Sequence, residues 1–423
     1  MYNSATMSTK PTVAVLFGSR SVEHEVSVVT GLQIIEAIDK SKYDVIPIYV
    51  TKTGQWLTGP ELGKVETYKK LSLNASSAAA GTPTTTPLFP SATPGTNAVI
   101  EEKRGLFSLK SKLPHIDVLF PAFHGTFGED GTMQGLFELA NIPYVGCGVT
   151  ASAVGMDKVI QKAVFAQAGL NVIKHTWFFR EKYQQNPSAV IAKLEKALPY
   201  PMVVKPANLG SSVGITLAKN RKLLEQAIEV AQAFDRKVIV EEALTDMIEI
   251  NCSVLGWKTL ETSVCEQPIK QDELLSYEDK YMRDGKSAKT SSNSTRSENT
   301  SGSKGMASLD RLIPAPISPT LTKHIQEIAK TAFRSIDGAG IARVDLMVTT
   351  TKGKITANSK IYVNEINTMP GSLSFYLWKP SGVSFTALTT ILIELAFERQ
   401  CDKDTTMFSI DSSLLEKLGG GVK

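Results

Sequence analysis

The stretch from Pro11 to Ile38 constrains the fold more than any other part of the chain. Val13 to Phe17 is an unbroken apolar run that ends at Gly18, and a helical spacing of apolar residues follows as far as Ile38. Two further strand-like runs, "YDVIPIYV" and "IDVLFPAFHG", each stop where polar residues gather. Strand–helix–strand alternation of this kind predicts a parallel sheet, with ligand-binding groups at the C-terminal ends of its strands. "GTMQGLFELANIPYVG" supplies a helix and a short strand, and closes a first domain near residue 150.

Beyond that point the pattern changes. Asp157 to Gly169 reads as a helix, and "PMVVKP" and "KVIVEEAL" read as strands around a Gly/Ser loop, giving a smaller α+β unit over 151–244. A third unit, 245–423, begins with "IEINCSVLG". Its strongest helix places Ile325, Ile328, Ala329, Ala332, Phe333 and Ile336 on one face. A hairpin around "TTTKGK" follows. Two segments break this texture. Leu71 to Ile100 has no charged residue, and its Ala/Ser/Thr/Pro content predicts an insertion unable to bury enough apolar surface to order itself. Ser287 to Ser303, within an insertion at about 283–307, has ten Ser or Thr among 17 residues and predicts a flexible loop.

With 423 residues the chain has room for two or three domains. A net charge of +4 without a long basic run gives no reason to expect nucleic acid or a membrane surface as partner. Cys147, Cys252, Cys265 and Cys401 lie far apart without CxxC spacing, the pattern of reduced cysteines in a cytoplasmic protein. "MYNSATMSTKP" has no apolar core of a signal peptide, and no window approaches the ~18 apolar residues of a membrane span.

Two stretches carry chemistry. In "KPANLGSSVGI", Lys205 precedes a loop whose Gly210 and Gly214 free the backbone and whose Ser211 and Ser212 offer donors. Such a loop wraps a phosphate or is an ordinary turn, and the residues alone leave both open. It is no P-loop, because the lysine stands before the glycines. In "GIARVDLMV" and "IYVNEINTMPG", period-2 alternation puts Arg343 and Asp345 on one face, and Glu365 and Asn367 on one face. If the strands are antiparallel neighbours, Asp345, Glu365 and Asn367 converge on a hard cation such as Mg²⁺. The alternative is a strand face on which Arg343 neutralises the acids.

Together with Lys158 in "MDK", these features make an ATP site, and the chain resembles the ATP-grasp superfamily. Within it, the chain is similar to the D-alanine–D-alanine ligases. The matching segments run in the family's order: "VAVLFGSRSVEHEVS", "PAFHGTFGEDGTMQGLFELANIPYVGCGVTASAVGMDK", "VVKPANLGSSVG", "IEINCSVLG", "YEDKY", "RLIPAPIS", "GIARVDLMV" and "VNEINTMPG". The resemblance implies an N-terminal Rossmann-like domain, a small α+β lid and a C-terminal α+β catalytic domain. It implies ligation of two D-alanines through a D-alanyl phosphate, at the expense of ATP and with two Mg²⁺ or Mn²⁺ ions, in a cytoplasmic homodimer that supplies peptidoglycan precursors.

Carried over by motif, Lys158 and Lys205 would hold phosphates under a loop formed by Ser211, Ser212, Val213 and Gly214. Glu241 and Glu242 would lie by the adenine, and Glu249 by the ribose. Glu23 would pair with the ammonium of the first D-alanine, beside His124, and Ser211 and Tyr281 would tie the loop to it. Lys280 would reach the γ-phosphate, Arg343 would stabilise the transferring phosphoryl, and the Gly371 N–H would face the oxyanion. Asp345, Glu365 and Asn367 would hold metal. The chain departs from the family pattern in three places. One extra residue precedes Glu249, the low-complexity run falls in the loop after "YEDKY", and "SLSFYLWKPSG" follows Gly371, so that Ser374 is the candidate for the second substrate's carboxylate. D-Alanyl-D-lactate or D-alanyl-D-serine ligation, another ATP-grasp carboxylate–amine ligation, and nucleotide binding without catalysis are the alternatives.

Overall fold

The computed structural model describes residues 10–68, 85–95, 99–101, 115–269, 311–410 and 412. The first sheet contains β1 (Thr12–Gly18), β2 (Asp44–Val50), β3 (Trp56–Thr58), β4 (Thr86–Pro90), β5 (Val99–Glu101) and β6 (Val118–Pro121), in the order β5-β4-β3-β2-β1-β6. β1 pairs in parallel with β2 and β6, and its seven residues are all buried, as a central strand covered on both faces requires. Helix α1 (His24–Ala37) follows a five-residue loop, 19–23, at the C-terminal end of β1. The short strand expected after α2 (Thr132–Ala140) reduces to one parallel bridge, Leu119 to Tyr144.

The expectation for Leu71 to Ile100 needs correcting. Residues 71–84 and 96–98 lie outside the described residues, but β4 and β5 lie inside the segment and extend the parallel centre as antiparallel edge strands. Leu88 and Val99 are buried in the core formed by Ala14, Leu16, Ile48, Val50 and Trp56. Composition missed this because an edge strand needs only one apolar face, here supplied by a few residues, and the rest of its stability comes from pairing with β3.

Two helices join this sheet to the next: α3 (Val149–Met156) and α4 (Lys158–Gln167). Asp157 stands between them and caps α4 by accepting from the Val159 and Ile160 N–H groups. The second sheet is antiparallel, β7 (His175–Phe179), β10 (Lys237–Glu242), β8 (Met202–Pro206) and β9 (Thr216–Ala218), with α5 (Pro187–Ala197) and α6 (Arg221–Phe234) on one face. The third, also antiparallel, runs β13 (Arg311–Leu312), β12 (Leu260–Pro268), β11 (Met247–Gly256), β14 (Gly340–Thr349), β15 (Ile361–Asn367). Helix α7 (Pro319–Ser335) buries Ile325, Ala329, Ala332 and Phe333 against it, the face its spacing predicts. The last helix, α8 (Phe385–Lys403), packs Leu388, Leu392 and Ile393 into the core of the first sheet. Cys147, Cys252 and Cys265 are buried free thiols, whereas Cys401 is half-buried.

Burial of Leu88 can be tested directly. Leu88→Ala should lower the stability of the chain by about 2–5 kcal/mol, the usual cost of truncating a core leucine. An unfolding free energy within about 0.5 kcal/mol of the parent protein's, from denaturant titration, would mean that β4 is an ornament on the sheet edge.

Candidate active site

β14 and β15 are antiparallel neighbours, and Asp345 stands opposite Glu365 and Arg343 opposite Asn367, next to a register shift at Asp345/Leu346. On the other side of β14, Asn251 faces Asp345. The two acids therefore lie side by side, and the Asn367 amide donates to Asp345 Oδ2 at 3.1 Å. Arg343 also meets both oxygens of Asp345, at 2.6 and 2.8 Å, so the neutralising role that the sequence left open is filled here for Asp345. Burial nevertheless pushes the Asp345 carboxyl up to about 6 against the pull of Arg343, with Glu365 and Glu249 adding to the rise. Among the described residues, no group of three or more His, Cys, Asp or Glu is arranged to hold a metal ion.

Opposite the hairpin stands α4. Lys158, at its start, donates to the Leu209 carbonyl at 2.7 Å and lies 3.4 Å from Glu365. Lys205, at the end of β8, pairs with Glu241 at 2.6 Å, and Glu241 also takes Lys162 at 3.1 Å. Two ammonium groups overcome the cost of burying Glu241 and hold its carboxyl down at about 2. Glu241 is thus enclosed between lysines rather than left open on a strand end, while Glu242 is half-buried. Glu249 lies on β11 opposite Met347.

The loop after β8 closes on the first sheet. The Ser211 hydroxyl donates to Glu23 Oε1. A Cβ on Gly210 would sit 2.6 Å from Glu23 Oε2, and one on Gly125 would sit equally close, so both backbones approach the carboxylate only as glycine. Below Glu23, His124 Nε2 meets the Thr30 hydroxyl at 2.8 Å, and Thr30 Oγ1 accepts from the Ser372 N–H at 3.2 Å. Burial pushes His124 down to about 4, so that it is neutral at physiological pH.

A cavity of about 710 Å³ of open space is lined by Glu23, His124, Lys158, Ser211, Arg343, Glu365, Asn367 and Gly371. Lys205, Glu241, Glu249 and Asp345 stand outside its lining. Ser374 is also outside it, fully buried behind Gly371. Lys280 and Tyr281 fall outside the described residues.

Profiles described as the D-ala D-ala ligase N-terminus and C-terminus match residues 12–147 and residues 164–308 and 301–394. The D-alanine–D-alanine ligase of Bacillus cytotoxicus is 40% identical over 95% of this chain and all of that one. The chain belongs to the D-alanine–D-alanine ligase family. The Thermosipho africanus D-alanine–D-alanine ligase is 37% identical, covering 96% of this chain and 98% of that protein. Among solved structures, the VanG D-Ala:D-Ser ligase of Enterococcus faecalis superposes with a TM-score of 0.71 at 31% identity, over 92% of this chain and all of that one. The D-alanine–D-alanine ligase of Coxiella burnetii has the same TM-score at 27% identity, over 93% and 96%. The architecture of this member of the D-alanine–D-alanine ligase family is ATP-grasp, as the motif resemblance implied.

Two ionisable groups at the site escaped the reading of the sequence. Lys162 follows Lys158 by four residues, the spacing that stacks side chains on one helix face. Glu129, in "GEDG", accepts from the N–H groups of Gly125 at 2.7 Å and Met369 at 3.0 Å, and lies 3.9 Å from His124. No periodicity marks it. Burial and the nearby Glu23 push the Glu129 carboxyl up to about 8.

That shift has a definite sign. Between about pH 5 and 8 folded Glu129 keeps a proton that the unfolded chain has lost, so its contribution to stability falls as pH rises. Glu129→Gln, which cannot ionise, should gain in melting temperature relative to the parent protein between pH 5.5 and 8. A difference in Tm that stays constant over that range would show Glu129 to be ionised throughout.

Proposed function

We propose that this protein is an ATP-dependent D-alanine–D-alanine ligase that supplies the dipeptide for peptidoglycan precursors. The observation that carries the reading is one cavity in which Glu23 and Ser211 face Lys158, Arg343, Glu365 and the Gly371 backbone. The units 1–150, 151–244 and 245–423 would act as domains, with nucleotide between the second and third and amino acid against the first. No helix among the described residues is long and apolar enough to cross a membrane, in keeping with a cytoplasmic enzyme. We take the working form to be a homodimer.

A carboxylate is a poor acyl donor because its leaving group would be oxide. Transfer of the ATP γ-phosphoryl to a D-alanine carboxylate oxygen releases ADP and makes an acyl phosphate. The amine of a second amino acid then attacks the carbonyl carbon, and phosphate leaves from the tetrahedral intermediate. Most of the protein's task is positioning and charge stabilisation. Glu23 would hold the first ammonium, with His124 beside it. Lys158 and Lys205 would hold phosphates beneath Ser211, Ser212, Val213 and Gly214, and Lys280 would reach the γ-phosphate. Glu241 and Glu242 would meet the adenine and Glu249 the ribose. Arg343 would neutralise the transferring phosphoryl, and the Gly371 N–H would donate to the oxyanion. Tyr281 would join Ser211 and Glu23 when the site closes, and Ser374, behind Gly371, would support the acceptor's carboxylate side.

Asp345, Glu365 and Asn367 fit Mg²⁺ or Mn²⁺ as an oxygen donor set. Glu365 on the neighbouring strand adds to the rise in the Asp345 carboxyl, which a bound cation would relieve. With two carboxylates and one amide, phosphate oxygens and water would complete the coordination of two ions. Bound there, the ions would supply charge neutralisation for the phosphates. A second reading, D-alanyl-D-serine ligation, is favoured by the likeness to the VanG D-Ala:D-Ser ligase.

Phosphate release measured with D-alanine alone, and with D-alanine plus D-serine or D-lactate, decides between acceptors. The dipeptide ligase should turn over with D-alanine alone and gain little from the others. Glu365→Gln should fold normally and lose turnover by orders of magnitude, whereas near-parental turnover would remove the hairpin from the mechanism.

A further inference from the structure

Glu241 carries more positive charge than it needs. Its side chain is 2% exposed and is contacted by Lys205 at 2.6 Å and by Lys162 at 3.1 Å. The two lysines differ in what surrounds them. Lys162 is 0% exposed, and it also donates to the Asn364 carbonyl at 3.0 Å, one residue before Glu365 on β15. Lys205 is the last residue but one of β8, a few residues before the glycine loop. One carboxylate between two buried ammonium groups leaves a net positive charge, an arrangement that is costly unless an anion arrives.

We propose that Lys162 is a positioning residue that keeps Glu241 ionised and in place when Lys205 turns from it to the nucleotide's phosphates. The proposal rests on the reading that Lys205 binds phosphate. Before nucleotide binds, Glu241 has two partners. When a phosphate draws Lys205 away, a buried carboxylate with no remaining counter-ion would take up a proton or pull the lysine back, and either outcome weakens nucleotide binding. Lys162 prevents both, and its bond to the Asn364 carbonyl fixes Glu241 relative to the strand that bears Glu365. Lys158 cannot substitute, since it is committed to Leu209 and Glu365. Lys237 is held by Asp157 on the far side of the helix start.

The test is calorimetric binding of ADP to the whole protein between pH 6 and 9, in buffers of different ionisation enthalpy, which reads proton uptake directly. Lys162→Met should fold, because Lys205 still satisfies Glu241 in the free protein. It should bind ADP at least tenfold more weakly at pH 8 and take up close to one proton per ADP, so that its affinity strengthens as pH falls. Lys162→Arg should restore proton-silent binding. The groups that meet Glu241 are Lys162 on α4 and Lys205 on β8, with His175 opposite it on β7. His175 is a histidine directly across the sheet from Glu241, so the Lys162→Met/Glu241→Gln double variant, which keeps it, serves as control. It retains His175 and should show no proton uptake, with an affinity within about threefold of Glu241→Gln alone.

Parental affinity and proton-silent binding in Lys162→Met, beside weakened binding in Lys205→Met, would overturn the role of Lys162 alone. Unchanged binding in Lys205→Met would overturn the phosphate assignment and this proposal with it. Proton uptake that persists in the double variant would assign the proton to His175 and overturn the proposal as well. If Lys162→Met does not fold, the comparison of the double variant with Glu241→Gln still decides, since a tenfold loss there means Lys162 acts on something other than Glu241.

Discussion

Ionisable side chains held largely out of water set the terms on which the three sheets meet. A buried carboxylate is tolerated only beside a cation or several N–H donors, and removing one partner from such a pair costs several kcal/mol. Some partners share a sheet, as Lys205 and Glu241 or Arg343 and Asp345 do, but others reach between sheets. Helix α4 reaches the second sheet through Lys162 and Glu241, and the third through Lys158 and Glu365. Glu129, on the loop after β6, accepts from the Met369 N–H beyond β15, and Glu23 accepts from Ser211 on the glycine loop. The ionisable groups gathered at the site are therefore also what fastens the parts together.

Much of this was legible in the sequence because it is local. The run of Val13 to Phe17, the face of α7 and the alternation in β14 and β15 each follow from the period of one element, and the facing of Asp345 and Glu365 needs only antiparallel pairing. The motif resemblance carried the ATP-grasp architecture. What escaped is non-local. The pairing of β4 with β3 depends on a partner some 30 residues upstream, and no composition rule marks Leu88 as the residue that enters the core. Lys162 was marked only by its spacing from Lys158, a signal that also describes countless solvent-facing lysines. Glu129 had no signal in pattern, since what distinguishes it is the Met369 N–H, 240 positions away.

The backbone at the two ends of the cavity bears on how ready the site is before any substrate arrives. Ser211 and Ser212 at one end, and Ser372, Leu373 and Ser374 at the other, have left-handed φ values between 48° and 60°. Each costs an L-residue on the order of 1–2 kcal/mol, so neither turn would hold this shape alone. What offsets the cost lies in the first domain. Ser211 donates to Glu23, and the Ser372 N–H donates to Thr30, whose hydroxyl also meets His124. Glu23 and Thr30 belong to the loop and helix that follow β1, the element with which the parallel sheet begins. Strain in both turns is thus held by Glu23 and Thr30. It follows that the glycine loop and the turn bearing Gly371 are set by one shared support, and that displacing α1 would disturb both together.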